Sequence, residues 1–530
     1  MVIESRSALG DSAVRDGLAD ETIERTAIRD TGTEPAAFLS RTDDAGNISN
    51  IGEAVSAKGE STHSSGAAAF PTTDLANAHR LARAYNSRLR WVLGIGWLVW
   101  TDRRWEPSDT RALRLVSKLG RLIQREAARL AQESSLVKDD EERDAKSKVA
   151  QALLKWARQS EAATRIRAAM DLAQPLLEIS VDELDSDPWA LNCSNGTVDL
   201  RTGELRCHSR FDFLTRISPV AFDPDARSEL WEGVLDRAIP DPESRRFLQR
   251  AAGYTACGVT GEDVVLLIQG PTRSAKGTVQ GAIAAALGGY GETAGLEDLA
   301  ERTHKGGPRP ELVRLRGARM VSTYETQRRL RLDAALLKTL SGSDPFTVRD
   351  LHKAPVTFVP QFTPWIATNH RPELPHDDDA VWERIRELAF NVQIPSAERD
   401  PSVRKTLSDP KQGGPAVLRW IVEGALAWQR EGLRPPQRVR EATADYRMEM
   451  DPLRAFLEDC CALSPESWTK SSELRETYEA WCRETGEKAL TGSTFAEGLA
   501  RHGCKPERRH SGRGWRGIDL PGVIRFGEGA

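Results

Sequence analysis

Three polar residues draw attention because each stands where an apolar run stops. Lys276 lies in VVLLIQGPTRSAKGTVQGAIAAALG (264–288), where an apolar strand passes into a loop and the loop into a helix. That order is what a phosphate-cradling loop requires. Backbone N–H groups and a helix amino terminus surround the anion, while an ammonium reaches the terminal phosphates. Gly270, Pro271, Thr272, Arg273, Ser274, Ala275, Lys276, Gly277 and Thr278 are therefore the candidate nucleotide loop, with ATP the expected ligand and Thr278 a candidate Mg2+ ligand. The usual pattern is G-x-x-x-x-G-K-[ST]. Here Ala275 occupies the second glycine position, and Gly277 stands where a hydroxyl residue is usual. The Lys-Gly-Thr ending also occurs in nucleotide kinases. If position 275 needs φ > 0, its methyl group costs about 1 kcal/mol.

The second residue is Glu325, at the end of ARMVSTYE (318–325). A carboxylate at a strand's carboxyl end can hold a magnesium shell or polarise an attacking water. The third is Asn369, which ends FTPWIATN (362–369) and could orient a water against a γ-phosphate. Singly, each is ordinary: a solvated glutamate, an amide in a turn. Together they fall in order, 49 and then 44 residues apart, each after an expected strand.

The surrounding texture predicts an α/β core that would hold them. From about Glu262, short apolar strands (VVLLIQ, ARMVSTY, FTPWIAT) alternate with helical sequence, as a buried sheet covered by helices requires. Upstream, LANAHRLARAYNSRLRWV reads as a helix and GIGWLVWTDRRWE as a hairpin, with Trp91, Trp97, Trp100 and Trp105 as packing residues. Charged helical sequence fills 111–179, interrupted by the run Lys138–Asp144. Two short strands follow around the Asn195-Gly196 and Thr202-Gly203 turns. Residues 1–70 hold only Phe38 and Phe70 as aromatics and predict a disordered tail with a transient helix near 13–29. Prolines at 432–437 and 452 bound a helical connector. The domains expected are 1–74 (tail), 75–245 (mixed α+β), 246–445 (P-loop ATPase) and 446–530 (winged-helix-like).

Taken with VWERIRELAF (381–390), these stretches resemble the superfamily-three helicase core of phage and plasmid primase–helicases. The resemblance covers roughly residues 80–450. It implies an AAA+-like P-loop core, with Lys276 and Thr278 in Walker A, Glu325 in Walker B and Asn369 as sensor 1. It also implies Arg384 as an arginine finger acting on a neighbouring subunit, where the family usually has paired arginines and this chain has Glu383-Arg384. LLKTLSGSDPFTVRDLHKAPVTF resembles the family's DNA-contacting motif, with Lys338, Arg349 and Lys353 at its basic positions. The function implied is a DNA-stimulated ATPase and helicase for phage, prophage or plasmid replication, assembled as a homo-oligomeric, hexameric ring on single-stranded or forked DNA in the cytoplasm of a bacterial host. An ATP-binding but hydrolysis-deficient replication initiator is the competing reading, and a nucleotide kinase a third.

Toward the carboxyl terminus, two helical stretches precede CKPERRHSGRGWRGIDL. Between Arg501 and Arg516 six lysines and arginines face Glu507 alone. Helix, helix and basic hairpin is the sequence shape of a winged helix, with Arg508, Arg509, Arg513 and Arg516 placed for phosphates. The net charge of −4 favours no partner for the chain as a whole. Seven cysteines without CxxC or zinc spacing read as reduced thiols, and His208, His352 and His370 have no metal-ligand spacing. No secretory leader or membrane-length apolar run is visible. Residues 1–215 show no clustered carboxylates on strands, so no primase centre is expected, and priming is assigned to a separate or host protein.

Overall fold

The computed structural model describes residues 70–302, 309–324, 330–349, 355–487 and 489–521. Residues 1–69 of the expected tail, with its transient helix, and Glu325, His352 and Lys353 lie outside the described residues, whereas 70–74 of that tail are ordered into the start of the first helix.

The chain from Phe70 is already anchored: its backbone N–H donates to Glu126 and its carbonyl accepts from Arg80. Helix α1 (Asp74–Tyr85) opens on Thr73, whose hydroxyl accepts from the Ala76 N–H. The sequence predicts this helix to run on to Val92, but Leu89–Val92 is instead strand β1. It pairs antiparallel with β2 (Gly96–Trp100), which pairs with β3 (Trp105–Pro107). Burying Leu89 and Val92 against this hairpin outweighs the helical propensity of the preceding turn. Helices α2 (Asp109–Val116), α3 (Leu119–Ser135), α4 (Asp140–Gln159) and α5 (Ala163–Leu177) follow. The charge run expected to interrupt them starts α4: Asp139 caps it, and Asp140, Glu141 and Glu142 occupy the first turn, where the helix dipole favours them. Strands β4 (Ala190–Cys193), β5 (Gly196–Asp199) and β6 (Glu204–Arg206) form a second small antiparallel sheet, one strand more than predicted.

Helices α6 (Glu229–Ala238) and α7 (Pro242–Ala256) lead into a parallel sheet of β7 (Val265–Gln269), β8 (Gly291–Gly295), β9 (Met320–Tyr324), β12 (Thr363–Thr368) and β13 (Ile385–Ala389). Their order is β13-β7-β12-β9-β8, with every neighbouring pair parallel. Alternate residues feed two cores. Leu266, Ile268, Met320 and Trp365 face one, while Val265, Leu267, Val321 and Ile366 face the other, so both faces of the sheet are covered. The covering helices are α8 (Lys276–Leu287), α9 (Pro310–Val313), α10 (Ala334–Ser341), α11 (Asp379–Trp382), α12 (Ser402–Ser408) and α13 (Gly414–Glu431). Strands β10 (Phe346–Arg349) and β11 (Pro355–Phe358) pair as a separate antiparallel ribbon.

The connector expected between the prolines is helix α14 (Gln437–Glu449). Beyond it, α15 (Arg454–Cys460), α16 (Ser471–Thr485) and α17 (Gly492–Arg501) pack on a three-stranded sheet. That sheet has the order β14 (Ala462–Lys470), β16 (Gly512–Asp519), β15 (Lys505–Arg509). No described helix is long and apolar enough to cross a membrane.

Candidate functional site

The site forms where β7 and β12 end side by side. The two strands are parallel and in register to Thr368 opposite Gln269, so the loops that leave them meet at the carboxyl edge of the sheet, the usual place for a ligand crevice in open α/β folds. Gly270 begins the first loop. A Cβ there would come within 2.2 Å of the Phe390 carbonyl oxygen, so close passage past β13 admits only glycine.

The loop's backbone is strained. Arg273 has φ 69° and Ala275 φ 66°, both left-handed and neither glycine. Ala275 also occupies the N-cap of α8 with no side-chain cap, and in the first turn the Thr278 N–H donates to the Ala275 carbonyl (3.0 Å). Left-handed residues alternating with helical ones turn successive N–H groups inward, which is the geometry of an anion-binding nest. Strain of about 1–3 kcal/mol per residue persists where surrounding structure enforces it. The enforcement is visible. Ile394 N–H donates to the Arg273 carbonyl (2.9 Å), and the Gln393 side-chain amide donates to that of Thr272 (3.1 Å). The condition set for position 275 by the sequence is thus met. Ala275→Gly is expected to raise stability by up to about 1 kcal/mol, since relief of the left-handed penalty exceeds the added chain entropy. Denaturant titration of both proteins checks this; an equal loss would mean that the alanine methyl's packing dominates.

Lys276 is only 8% exposed. Its ammonium donates to the carbonyls of Gly270 (2.6 Å) and Pro271 (2.9 Å), the Ser274 hydroxyl (3.3 Å) and Asn369 Oδ1 (3.0 Å). The fold therefore joins two of the three residues singled out in the sequence, Lys276 and Asn369, through a direct hydrogen bond. Tyr324, the last described residue of β9, lines the same cleft. A Cβ on Gly277 would meet nothing within 4 Å, so that position opens into free space, and Thr278 sits beside it on the cleft wall.

The cleft measures about 890 Å3, within the range of small-molecule sites. Its far wall is the α6 stretch Glu229–Arg237 and the segment Ile394–Arg404. Arg237, Arg399 and Arg404 enter from these elements and were not found in the sequence, where they belong to no motif: Arg237 precedes the loop by 33 residues, and Arg399 and Arg404 follow it by more than a hundred. Arg237 is paired with Glu398. The site suits a polyanion: a strained N–H cradle, an uncapped helix start and an enclosed ammonium, ringed by guanidinium groups.

Arg371, two residues past Asn369, fixes that loop. Its guanidinium donates to both carboxylate oxygens of Glu387 on β13 (2.8–3.2 Å) and to Glu449 on α14 (2.6 Å). Glu387 is fully buried, and burial lifts its pKa against the opposing pull of Arg371.

Arg384 lies at the amino ends of the strands, where its carbonyl accepts from Val265, about 15 Å of strand away from the loop. Its guanidinium bonds Asp263 (3.1 Å) and the Ala380 carbonyl of its own chain. It does not reach Lys276. Lys338 on α10 is ion-paired with Asp378 (2.7 Å). Arg349 ends β10 and is exposed. Arg508 and Arg513 face each other across β15 and β16, both exposed, an unfavourable pairing unless an anion lies over it. Arg509 bonds Glu507 and stacks over Trp468, and Arg516 bonds the Pro465 carbonyl and Glu466. His208 bonds Asn192, and no metal-holding cluster of His, Cys, Asp or Glu occurs among the described residues.

Residues 78–240 match the family model described as D5 N terminal like. Over those residues, and through viral relatives named as helicases, the chain is similar to the phage and viral primase–helicases. The chain is 24% identical over 298 residues to "Putative helicase L207/L206" of Acanthamoeba polyphaga mimivirus, covering 52% of this chain and 31% of that one. It is 27% identical over 272 residues to "Putative helicase 022R" of Frog virus 3 (isolate Goorha), covering 46% and 27%. The chain thus spans about a third or less of the curated relatives it matches. Among solved structures it is similar to the NrS-1 C terminal region at 10% identity and a TM-score of 0.35, over 57% of this chain and 78% of that one. That score is too low to bear on the fold.

Proposed function

We propose that this chain is the motor part of a replication helicase: an AAA+-like P-loop ATPase, preceded by an α+β helicase-associated domain and followed by a winged-helix DNA-binding domain. The observation that carries the reading is the hydrogen bond from Lys276 to Asn369 inside a left-handed N–H cradle. In this reading the residues 270–278 hold the β and γ phosphates of ATP, Lys276 neutralises their charge and Thr278 with Glu325 holds Mg2+. Asn369 orients the attacking water. Magnesium held by these residues would supply further neutralisation of the phosphate charge. The names of the viral relatives support a helicase substrate, and the facing Arg508 and Arg513 support a DNA surface on the β15–β16 hairpin. The reading gives the described residues a motor and no priming centre, with priming from another protein.

Forked-duplex unwinding tests this reading: the full chain with ATP and magnesium should separate a labelled fork, and a non-hydrolysable nucleotide should not support it. Strand separation independent of ATP would contradict it.

Ring assembly is part of the proposal, because Arg384 cannot act on its own chain's loop. Released from Asp263, it would act on a neighbour's nucleotide. Arg384→Ala is expected to keep its fold, since a partly exposed ion pair contributes about 1 kcal/mol or less. It should lose turnover and regain part of it when mixed with Lys276→Ala. Mixed assemblies with no recovered activity would remove Arg384 from this role.

A further inference from the structure

The amino-terminal helices carry a charge pattern that the nucleotide site does not use. Residues 70–135 hold twelve lysines and arginines against six carboxylates, in a chain whose net charge is −4. Four of these cations fall at 114, 118, 121 and 125, the three- and four-residue spacing that stacks side chains on one helical face. The two helices that carry them are almost continuous: Ser117 is helical (φ −59°, ψ −12°) and Lys118 nearly so (φ −85°, ψ 5°). The opposite face is the buried one, with Val116, Leu119, Ile123, Ala127 and Leu130 in the core. Arg114, Lys118, Arg121 and Arg125 are all exposed, and none of them is in an ion pair among the described residues. Of the carboxylates nearby, Glu126 holds Arg80, Glu106 holds Arg111 and Glu133 holds Arg129, while Glu161 lies against Gly120 on the flank of the stripe. The same face continues through Ala128 and Gln132 without an acid or a large apolar side chain.

We infer that the α2–α3 stripe Arg114, Lys118, Arg121 and Arg125 is a nucleic-acid backbone-binding surface, separate from the carboxyl-terminal hairpin. From 114 to 125 it runs about 16 Å, the rise of roughly five nucleotides of one strand in a duplex. Point charges along a helix face match a line of phosphates, read without regard to sequence. Tyr85 lies at the edge of the stripe, close enough to Arg125 and Arg88 for both to act on its hydroxyl, and offers a half-buried ring beside the phosphates. An anionic membrane is the weaker fit, because the exposed large apolar side chains of this region, Leu113 and Leu136, flank the ends of the stripe and do not interleave its cations.

The test uses the full chain without nucleotide, so a defective ATPase leaves it unaffected. Fluorescence anisotropy with single-stranded and duplex oligonucleotides is measured across a salt series. Replacing Arg114, Lys118, Arg121 and Arg125 by Gln should weaken binding at least about tenfold at low salt. It should also flatten the slope of log K against log salt by about 3, near 0.7–0.9 per phosphate contact. The half-sets Arg114→Gln with Lys118→Gln, and Arg121→Gln with Arg125→Gln, should each give about half that change, so the outcome does not depend on one variant folding. Arg508→Gln with Arg513→Gln should leave the stripe's share of the slope in place. Unchanged affinity and slope in both half-sets would overturn the inference. So would loss of binding to phosphatidylserine vesicles, or to an acidic polypeptide, with DNA binding intact.

Discussion

Lys276→Ala is expected to reduce nucleotide turnover by at least about a hundredfold, the scale on which a group neutralising transition-state charge acts. The lysine holds four oxygens of the loop and of Asn369, so its removal also leaves buried acceptors unsatisfied. Lys276→Met leaves the same acceptors unsatisfied but keeps the aliphatic stem and so opens no cavity. It should be more stable than Lys276→Ala and still fail to turn over ATP. Equal turnover in wild type and Lys276→Met would show that the cradle is not an ATPase site.

The largest effect on stability is expected from Arg371→Ala. Glu387 is fully buried, and its pairing with Arg371 is the counter-charge that makes its ionised form tolerable there. Breaking a buried pair by removing one partner costs about 3–5 kcal/mol. The loss should depend on pH in a definite direction. Burial raises the Glu387 pKa above its ordinary value, and without Arg371 nothing opposes that rise. A carboxyl with a raised folded pKa binds more protons folded than unfolded, so stability falls as pH rises through that interval. The variant should therefore be closest to wild type under acidic conditions and furthest from it above neutrality. The double variant Arg371→Met with Glu387→Leu should recover most of the loss, because apolar replacement of a buried pair is often neutral. Denaturant titrations at several pH values check all three outcomes, and an Arg371→Ala protein equally stable at every pH would contradict the account of Glu387.

The strands that carry chemistry were legible because they are apolar and short. VVLLIQ, ARMVSTY and FTPWIAT announce β7, β9 and β12, and the residues that follow the first and third meet where parallel strands end together. Two strands of the same sheet were not legible. Strand β8, GETAG, has glycine or acid at three of its five positions and gains its place by pairing with β9 at the sheet edge. Strand β13, IRELA, carries Arg386 and Glu387, and its polarity hides a strand whose buried glutamate is compensated by Arg371 from a different loop. In the carboxyl-terminal unit the two helices and the basic hairpin were readable, but β14, SPESWTK at its centre, looks like a loop until β16 is beside it. The cleft's arginines were invisible for a related reason. Arg237, Arg399 and Arg404 come together through packing of α6 and α12 around the loop, and sequence separation carries no trace of that. The need at position 275 was legible only as a condition, and its left-handed backbone is what the fold adds.

The central claim is that nucleotide hydrolysis in the Lys276 cleft is coupled to DNA. Steady-state ATP hydrolysis by the full chain with magnesium, with and without single-stranded DNA, tests it most directly. Turnover should rise several-fold on adding DNA and be absent from Lys276→Met under both conditions. ATP binding with no hydrolysis, whether or not DNA is present, would contradict it and leave a nucleotide-binding initiator in its place.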